Sequence, residues 1–246
     1  MHPALTRVEH RPWQVPERRW TWRQSWCDLL FAHWPISVAA VRHLVPPELE
    51  IDEFDGTSWI GIVPFRMEGV SPRPLPDLPW LSAFPELNVR LYVTHQGKPG
   101  VWFLSLDATN RLAIWGAKMF FHLPYFHADM RVDVTDREVH YRSVRTPRYG
   151  GNRFQATYQP VSSPHESQPG TLEHFLTERY CLYSQSPSGA IYRCEVHHHP
   201  WPLQRAEGEI EVNELFRGFV DLPPAPPTLL HFARRLDVVV WPLERC

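Results

Sequence analysis

The chain has 246 residues, of which 43% are hydrophobic and 21% are charged, and its formal net charge is -2. This is the composition of a globular protein with enough apolar side chains for one substantial core, which excludes an intrinsically disordered chain. The nearly neutral charge gives no general electrostatic reason to bind nucleic acid, which requires a basic face.

The first segment, residues 1–20, is predicted to form an N-terminal arm. It carries four arginines, among them Arg11, which two glutamates partly balance. Chain termini are usually solvated, and we expect a solvated arm here. The first thirty residues lack the apolar stretch of a secretory signal, and no window approaches the run of about 18 apolar residues that spans a bilayer. These features predict a protein with no membrane partner.

Beyond the arm, the periodicity of apolar residues predicts about ten strands and three or four short helices. Strand-like segments cover residues 21–35, 48–56, 58–67, 87–94, 101–107, 129–134, 138–144, 153–158, 179–184, 190–198, 208–212 and 236–241. Helical segments cover residues 37–44, 108–121, 171–177 and 214–219, the last capped by Asn213. Because strands often follow one another directly, the order favours an α+β protein built on a curved antiparallel sheet or barrel, with residues 1–246 in one domain.

A proline-rich segment interrupts the strands between Ser71 and Pro85, where five of fifteen residues are proline. Proline lacks an amide donor, so we expect a long loop there and neither a helix nor a central strand. Long ordered loops are often functional. Two interpretations stay open: a lid over a pocket that uses Trp80 and Phe84, or a structural crossover packed by its own aromatic rings.

Cysteine and lysine are sparse. Four widely spaced cysteines form no C-x-x-C pair, which favours reduced thiols in a cytoplasmic protein over a disulfide scaffold or a zinc clip. Lys98 and Lys118 are the only lysines. Lys98 stands in a Gly-Pro turn, where we expect it to be exposed.

Three blocks of the chain resemble one known family. They cover residues 43–65, 84–130 and 175–210, and they contain LNVRLYV, SLDA, LPY and TERY…HHPWPL in that order. These motifs are similar to those of the YqjF-like domain-of-unknown-function family, which is related to the acetoacetate decarboxylases. The resemblance implies a cone-shaped, mostly antiparallel β-barrel with helices outside and a pocket within, and it implies no particular activity.

The same resemblance singles out one position. Acetoacetate decarboxylases carry two lysines after a proline; the first forms a Schiff base and the second lowers its pKa. With Pro124 set on that proline, Tyr125 and Phe126 occupy the two lysine positions, and neither forms an imine. Lys118, about two helical turns earlier, is left either as a substitute amine that faces a dry pocket or as an exposed surface lysine.

Arg90 and Tyr92 share one face of a predicted strand, because they stand two residues apart. If that face lines the barrel, the guanidinium of Arg90 fits a carboxylate or a phosphate. The alternative is an internal ion pair between Arg90 and Asp107 or Glu178. Asp107, at the end of the next strand, is either a general base or the cap of the helix that follows.

Glu178, Arg179 and Tyr180 place an acid, a base and a phenol in succession. Alternation sends Glu178 and Tyr180 to one side of the chain and Arg179 to the other. Burial of Glu178 against an aromatic wall would raise its pKa into the range of proton transfer, and a structural salt bridge is the alternative.

His197 and His199 are expected to face together on a predicted strand. The pair offers a metal two ligands without a recognised zinc spacing, so we expect no metal and assign His197 an acid–base or hydrogen-bonding role. The sequence shows no nucleophile elbow, Walker loop or dinucleotide fingerprint, and we expect no cofactor.

Together these features favour a cytoplasmic barrel that binds a small, anionic organic molecule in an internal pocket. The ligand-binding candidates are Arg90, Tyr92, Arg179, Tyr180 and Lys118, and the catalytic candidates are Tyr125, Glu178, His197 and Asp107. Two alternatives stay open: a decarboxylase or aldolase that uses Lys118, and a non-catalytic regulatory module. The sequence does not decide whether the protein is an enzyme or whether it forms a homo-oligomer.

Overall fold

The computed structural model describes residues 2–77, 82–136, 138–222 and 225–246. The strands are β1 (Trp22–Ile36), β2 (Glu50–Ile51), β3 (Ser58–Pro72), β4 (Phe84–His95), β5 (Lys98–Ala108), β6 (Tyr125–Val134), β7 (Val139–Arg145), β8 (Arg153–Pro160), β9 (Cys181–Gln185), β10 (Ile191–His198), β11 (Gln204–Asn213) and β12 (Leu229–Arg245). The helices are α1 (Val38–Val41), α2 (Arg111–Phe121) and α3 (Leu172–Thr177), with 3₁₀ turns at Pro3–Leu5, Arg42–Leu44 and Pro147–Tyr149. No helix within these ranges combines the length and the apolar character needed to span a membrane.

All these strands belong to one sheet whose hydrogen bonds close on themselves. From β5 the ladder passes through β6, β7, β8, β11, β12, β1, β3 and β4 and returns to β5. A second closed path runs through β5, β9, β10, β12, β1, β3 and β4. Among the pairings between described strands, only β5 with β6 and β5 with β9 are parallel. The predicted mostly antiparallel barrel with a few flanking helices is confirmed.

Strands β1, β3 and β4 form a wall shared by the two closed paths, and their residues alternate between its two sides. On one side lies an apolar core, here called the filled core, centred on Tyr141, Phe154 and Tyr158. Leu87 and Val89 of β4 point into this core. The opposite face of β4 turns toward a cavity inside the second path. One strand therefore serves an apolar core and a polar site at once.

Helix α2 begins three residues later than predicted. The side-chain oxygen of Asn110 caps it by accepting hydrogen bonds from the backbone N–H groups of Leu112 and Ala113, at 3.0 and 3.1 Å. Asp107 remains inside β5 and pairs with Arg145, 2.7 Å away, so the prediction that Asp107 caps the helix is wrong. The cap must directly precede the first helical residue, and Asn110 holds that position before Arg111.

Part of the N-terminal arm is buried against the barrel, contrary to the expectation of a solvated arm, although Arg18 and Arg19 are exposed. The side chain of Arg11 is 1% exposed. It donates to the carbonyl oxygens of Val196 and Tyr180 and to the carboxylate of Glu195. The indole of Trp13 donates to the same carboxylate at 2.8 Å. These bonds tie the arm across β10 and bury a charge that local sequence gave no reason to bury.

Three smaller expectations are also corrected. Strand β3 reaches Pro72 and β4 begins at Phe84, so the proline-rich loop is shorter than predicted. Proline is tolerated there because it stands at the end of a strand. Trp80, one of the two aromatic residues expected in this loop, lies outside the described residues. The predicted helix at 214–219 is a run of turns that includes Gly218 at φ +85°, a left-handed conformation that ends a helix. Lys98 is half-buried, with its ammonium 3.6 Å from Glu195.

Candidate ligand-binding cavity

A cavity of about 540 Å³ lies within the second closed path of strands, a volume typical of small-molecule sites. Helix α2 borders it through the small residues Ala113, Gly116 and Ala117. Much of the remaining wall is aromatic or aliphatic and includes Trp22, Trp26, Phe65, Met67, Phe103 and Val196. A mostly apolar wall with a few polar groups is the usual makeup of a ligand site.

The polar groups of the cavity are concentrated on β4. Glu86, Asn88 and Arg90 stand at every second position, line the cavity and are only 2%, 4% and 9% exposed. The sequence interpretation found Arg90 through this alternation but missed Glu86 and Asn88. Extending the same period-2 pattern by four residues toward the N-terminus would have found both.

Glu86 is paired with Tyr125 inside the cavity. The Tyr125 hydroxyl donates a hydrogen bond to Glu86 Oε2 at 2.6 Å. Burial raises the pKa of Glu86 to about 8, although hydrogen bonds from Tyr125 and Asn88 oppose the shift. Burial, followed by the proximity of Glu86, also raises the pKa of Tyr125 well above its ordinary value. At neutral pH the Glu86 carboxyl is therefore mostly protonated, and it can donate one hydrogen bond while it accepts another.

Arg90 is a buried cation held by neutral groups. Its Nε donates to the hydroxyl of Tyr92 at 3.1 Å, and Nη2 donates to the carbonyl oxygen of Leu176 at 3.0 Å. The guanidinium also lies over the ring of Phe31, 5.0 Å from its centre. No aspartate or glutamate in the described part of the chain forms an ion pair with Arg90, so the alternative of an internal ion pair is wrong.

Tyr92 acts behind Arg90 and does not line the cavity. Its hydroxyl lies 2.6 Å from Nε2 of His33, which is completely buried. Burial lowers the pKa of His33 well below its ordinary value, and the nearby charge of Arg90 adds to the effect. The Tyr92 hydroxyl accepts from Arg90 and is also hydrogen-bonded to Nε2 of His33. This chain of hydrogen bonds holds the guanidinium in place.

Arg179 is the second arginine in the cavity wall. Its Nη1 donates to Asp52 at 2.5 Å, and its Nε donates to the carbonyl oxygen of Phe175 at 2.7 Å. Arg179 thus already has an acidic partner, unlike Arg90. Glu178 and Tyr180 lie together away from it, as alternation predicted, with the Tyr180 hydroxyl donating to Glu178.

Glu178 and Tyr180 lie outside the cavity wall. The backbone N–H of Trp201 donates to Glu178 at 2.9 Å, and burial raises the pKa of this carboxyl. Tyr180 stacks on His198, with ring centres 4.8 Å apart. Glu178 has no basic side chain as an ion-pair partner among the described residues, so the predicted salt bridge is wrong and a phenol takes that place.

His198 lines the cavity, whereas His197 does not. His197 faces the N-terminal arm, with Nε2 3.1 Å from the carbonyl oxygen of Arg7. Burial and the charge of Arg11 lower the pKa of His197 to about 3. Burial lowers the pKa of His198 to about 4. His199 lies beyond the end of β10, so the expected common face of His197 and His199 is not formed.

The two remaining candidates also lie outside the cavity wall. Asp107 is fully buried with Arg145, as described above. Lys118 is exposed, and its ammonium lies over the rings of Tyr149 and Phe126, 5.5 and 5.8 Å from their centres. Within the described ranges, no three His, Cys, Asp or Glu side chains are placed to hold a metal ion.

This barrel with an internal cavity belongs to the acetoacetate decarboxylase-like fold. An acetoacetate decarboxylase from Legionella pneumophila matches it with a TM-score of 0.62 at 11% identity, over 96% of this chain and 92% of that chain. The enduracididine biosynthesis enzyme MppR, complexed with pyruvate, matches with a TM-score of 0.64 at 12% identity, over 92% of this chain and 90% of that chain. At these identities the likeness establishes the fold alone.

The chain belongs to the family DUF2071, described as an uncharacterized conserved protein, whose model matches residues 23–237. It is 45% identical over 240 residues to the uncharacterized protein YqjF of Bacillus subtilis (strain 168). The match covers 97% of this chain and 98% of that protein. The resemblance inferred from the sequence motifs is confirmed.

Proposed function

We propose that the protein binds a small organic anion, a carboxylate in the first place, in its internal cavity. The observation that carries the proposal is Arg90, a 9% exposed guanidinium that lines the cavity and meets neutral acceptors only, among the described residues. Burying a charge without a counter-charge costs several kcal/mol. A bound carboxylate would supply that charge and accept the paired donors of the guanidinium.

Two neighbours of Arg90 support an anion at this place. Asn88 is 4% exposed, and its Oδ1 has no hydrogen-bond partner among the described residues. Glu86 is mostly neutral at pH 7, because its pKa is raised to about 8, so it does not repel an anion there. In the same fold, the solved complex of MppR contains pyruvate, which is itself a carboxylate.

If the bound molecule is transformed, Glu86 is the group best suited to move a proton. An acid–base catalyst works best when its pKa lies near the working pH, and Glu86 meets this condition inside the cavity. Tyr125 would orient the carboxyl through its 2.6 Å hydrogen bond. Neither residue forms an imine, which separates this chemistry from that of the decarboxylases.

The alternative of a lyase that uses Lys118 finds less support. A Schiff-base lysine needs a dry or cationic surrounding that favours the free amine, and Lys118 is exposed. Borohydride reduction in the presence of acetoacetate or pyruvate would add a stable mass to Lys118 if this alternative held. A non-catalytic binding module would use the same cavity, and turnover assays with a bound ligand separate it from an enzyme.

The decisive experiment compares two arginine variants by isothermal titration calorimetry with a panel of carboxylates. Arg90→Gln should weaken binding by about 10- to 100-fold, the range expected for a lost hydrogen bond to a charged group. Arg142→Gln is the matched control, because Arg142 is exposed on β7. Circular dichroism verifies that both variants fold. Equal affinities of a folded Arg90→Gln variant and the control would contradict the proposal.

We also propose a cytoplasmic location, which the four free cysteines support, because the cytosol keeps thiols reduced. The nearly neutral net charge supports a protein without a nucleic-acid partner. A homo-oligomer is testable by light scattering.

A further inference from the structure

The mouth of the cavity is surrounded by exposed apolar side chains. Leu112, Trp115 and Phe120 of α2, together with Leu75, are between 59% and 63% exposed and also border the cavity. Trp115 and Phe120 are in edge-to-face contact, with ring centres 6.2 Å apart. Large apolar side chains gathered around an opening are unusual on a soluble protein unless they meet a ligand or partner. We call these four residues the apolar lip.

Below the lip, α2 turns its smallest side chains toward the barrel. Ala113, Gly116 and Ala117 stand at i, i+3 and i+4, so they share one face of the helix, and all three border the cavity. A Cβ atom at Gly116 would meet no other atom within 4 Å. The open space beside these small residues, here called the passage, belongs to the same cavity that the lip borders.

The inner end of the cavity is polar. Asn88 and Arg90 are at least nine-tenths buried, in contrast to the exposed lip. The Oδ1 of Asn88 lacks a partner among the described residues, and Arg90 lacks an acidic one. The cavity thus runs from a charged, hydrogen-bonding end to an apolar opening.

The volume of the cavity is large for a small hydrophilic acid. A cavity of roughly 150 Å³ already holds benzene, whereas this one measures about 540 Å³. An acid the size of pyruvate would satisfy Arg90 and leave most of the apolar wall uncovered. A ligand with a long apolar body would cover the wall, the passage and the lip together.

We propose that the ligand is an amphipathic monocarboxylate, with its carboxylate at Arg90 and Asn88 and an alkyl or aryl body that extends past Gly116 to the apolar lip. This inference rests on the proposed function for its carboxylate half. The apolar half rests on the lip, the passage and the volume. The two halves can be tested separately.

The first test titrates the full-length protein with unbranched carboxylates from acetate to dodecanoate, below their critical micelle concentrations, and with the primary alcohols of equal length. Affinity should rise about three- to fourfold for each added methylene, the fold-change to which about 0.8 kcal/mol converts. Each acid should bind at least tenfold more tightly than its alcohol.

The outcomes separate the two claims. Affinity that is independent of chain length would overturn the amphipathic ligand and leave the proposed anion site standing. Alcohols that bind as tightly as the acids would overturn the anion site and the carboxylate half of this inference. Rising affinity together with a preference for the acids supports both.

A second test narrows the passage. Gly116→Leu adds a side chain where a Cβ atom has open space, in a helix that accepts leucine better than glycine. Its reference is Gly116→Ala, which carries the same gain in helix propensity with little added volume. Relative to Gly116→Ala, the leucine variant should bind decanoate at least tenfold more weakly and acetate equally. Equal decanoate binding by the two variants, with unchanged thermal unfolding, would overturn the route past Gly116.

Discussion

The filled core and the cavity are built from the two faces of the same strands, and they treat polar atoms differently. In the filled core, the hydroxyls of Tyr141 and Tyr158 donate to the carbonyl oxygens of Glu86 and Asp28, at 2.7 and 2.9 Å. Facing the cavity, Asn88 keeps an unpaired oxygen and Arg90 has no acidic partner among the described residues. The two phenols of the filled core thus have partners within the fold, although Ser105 Oγ and Asp107 Oδ2 on the same side of the sheet have none among the described residues. What sets the cavity face apart is a buried cation without an acidic partner, to which the proposed ligand would supply the counter-charge.

This difference identifies the cavity as the part of the fold that is left unfilled, which lowers the free energy of unfolding relative to a packed interior. Protein interiors are packed about as densely as organic crystals, and voids larger than a water molecule are few in a domain. A cavity of about 540 Å³ is therefore not an incidental packing defect. Under the proposed function, its small helix residues and the unpaired oxygen of Asn88 would serve binding at the expense of packing. The filled core and the closed ring of strands stabilise the barrel around it.

The largest expected effect compares one phenylalanine from each side. Phe154 is completely buried in the filled core, whereas Phe65, although only 3% exposed, borders the cavity. Phe154→Ala should lower the free energy of unfolding by about 4 kcal/mol, within the range for buried aromatic residues. Phe65→Ala should cost about half as much, roughly 2 kcal/mol, because a side chain beside open space has fewer packing partners to lose.

Urea denaturation of both variants and the wild type measures these two losses. The unfolding slopes should stay equal, so that the midpoints report stability directly. Equal losses for the two variants would show that the cavity wall is as tightly packed as the filled core, and the comparison would fail.

The next effect compares a paired buried arginine with the one that lacks an acidic partner. Arg145→Met leaves Asp107 buried without its cation, and it should lower the free energy of unfolding by about 3 kcal/mol. Arg90→Met abandons no carboxylate, so it should cost only about 1 kcal/mol, for hydrogen bonds to neutral acceptors. Chemical denaturation in the absence of ligand measures both. A loss for Arg90→Met as large as that for Arg145→Met would indicate an acidic partner and argue against an anion site.

The sequence predicted the strands, and it made Arg90 a candidate for the cavity, because both follow from local patterns. The hairpin expected at 87–94 and 101–107 is present as β4 and β5, and of the two interpretations left open for Arg90 the structure has the one in which it lines the cavity. The same pattern contained Glu86 and Asn88, which a longer window would have included.

The errors concern contacts between distant parts of the chain. Arg11 is buried against β10. On the same strand, His197 faces the N-terminal arm and His198 faces the cavity. The pattern within a single strand does not encode which of its faces the N-terminal arm covers. The cavity itself depends on how far α2 stands from the sheet. The role of Asp107 also depends on a distant contact, because its partner Arg145 comes from β7. Local patterns predict strand faces, and packing between elements decides what each face meets.

The smallest effect tests the protonated Glu86 that distinguishes the cavity from the filled core. The pKa of Glu86 is about 8, so its carboxyl is neutral below that pH and charged above it. Carboxylate binding should therefore be nearly constant below about pH 7 and weaken by about tenfold from pH 7 to pH 9, as the new charge repels the ligand. Glu86→Gln should remove this decline. Calorimetric titration from pH 6 to pH 9 measures it, and an equal decline in Glu86→Gln would assign the titration to another group.

Tyr125→Phe sharpens this test because its effect has a defined direction. The hydrogen bond from Tyr125 favours the charged form of Glu86 and holds its pKa down, while burial and the nearby Asp107 raise it. Removing the hydroxyl should therefore raise the pKa of Glu86 further and move the alkaline decline in binding above pH 8. A decline that moves to lower pH would mean that Tyr125 stabilises the protonated carboxyl. In that case the protonated carboxyl of Glu86 would be the donor of the hydrogen bond and the Tyr125 hydroxyl its acceptor.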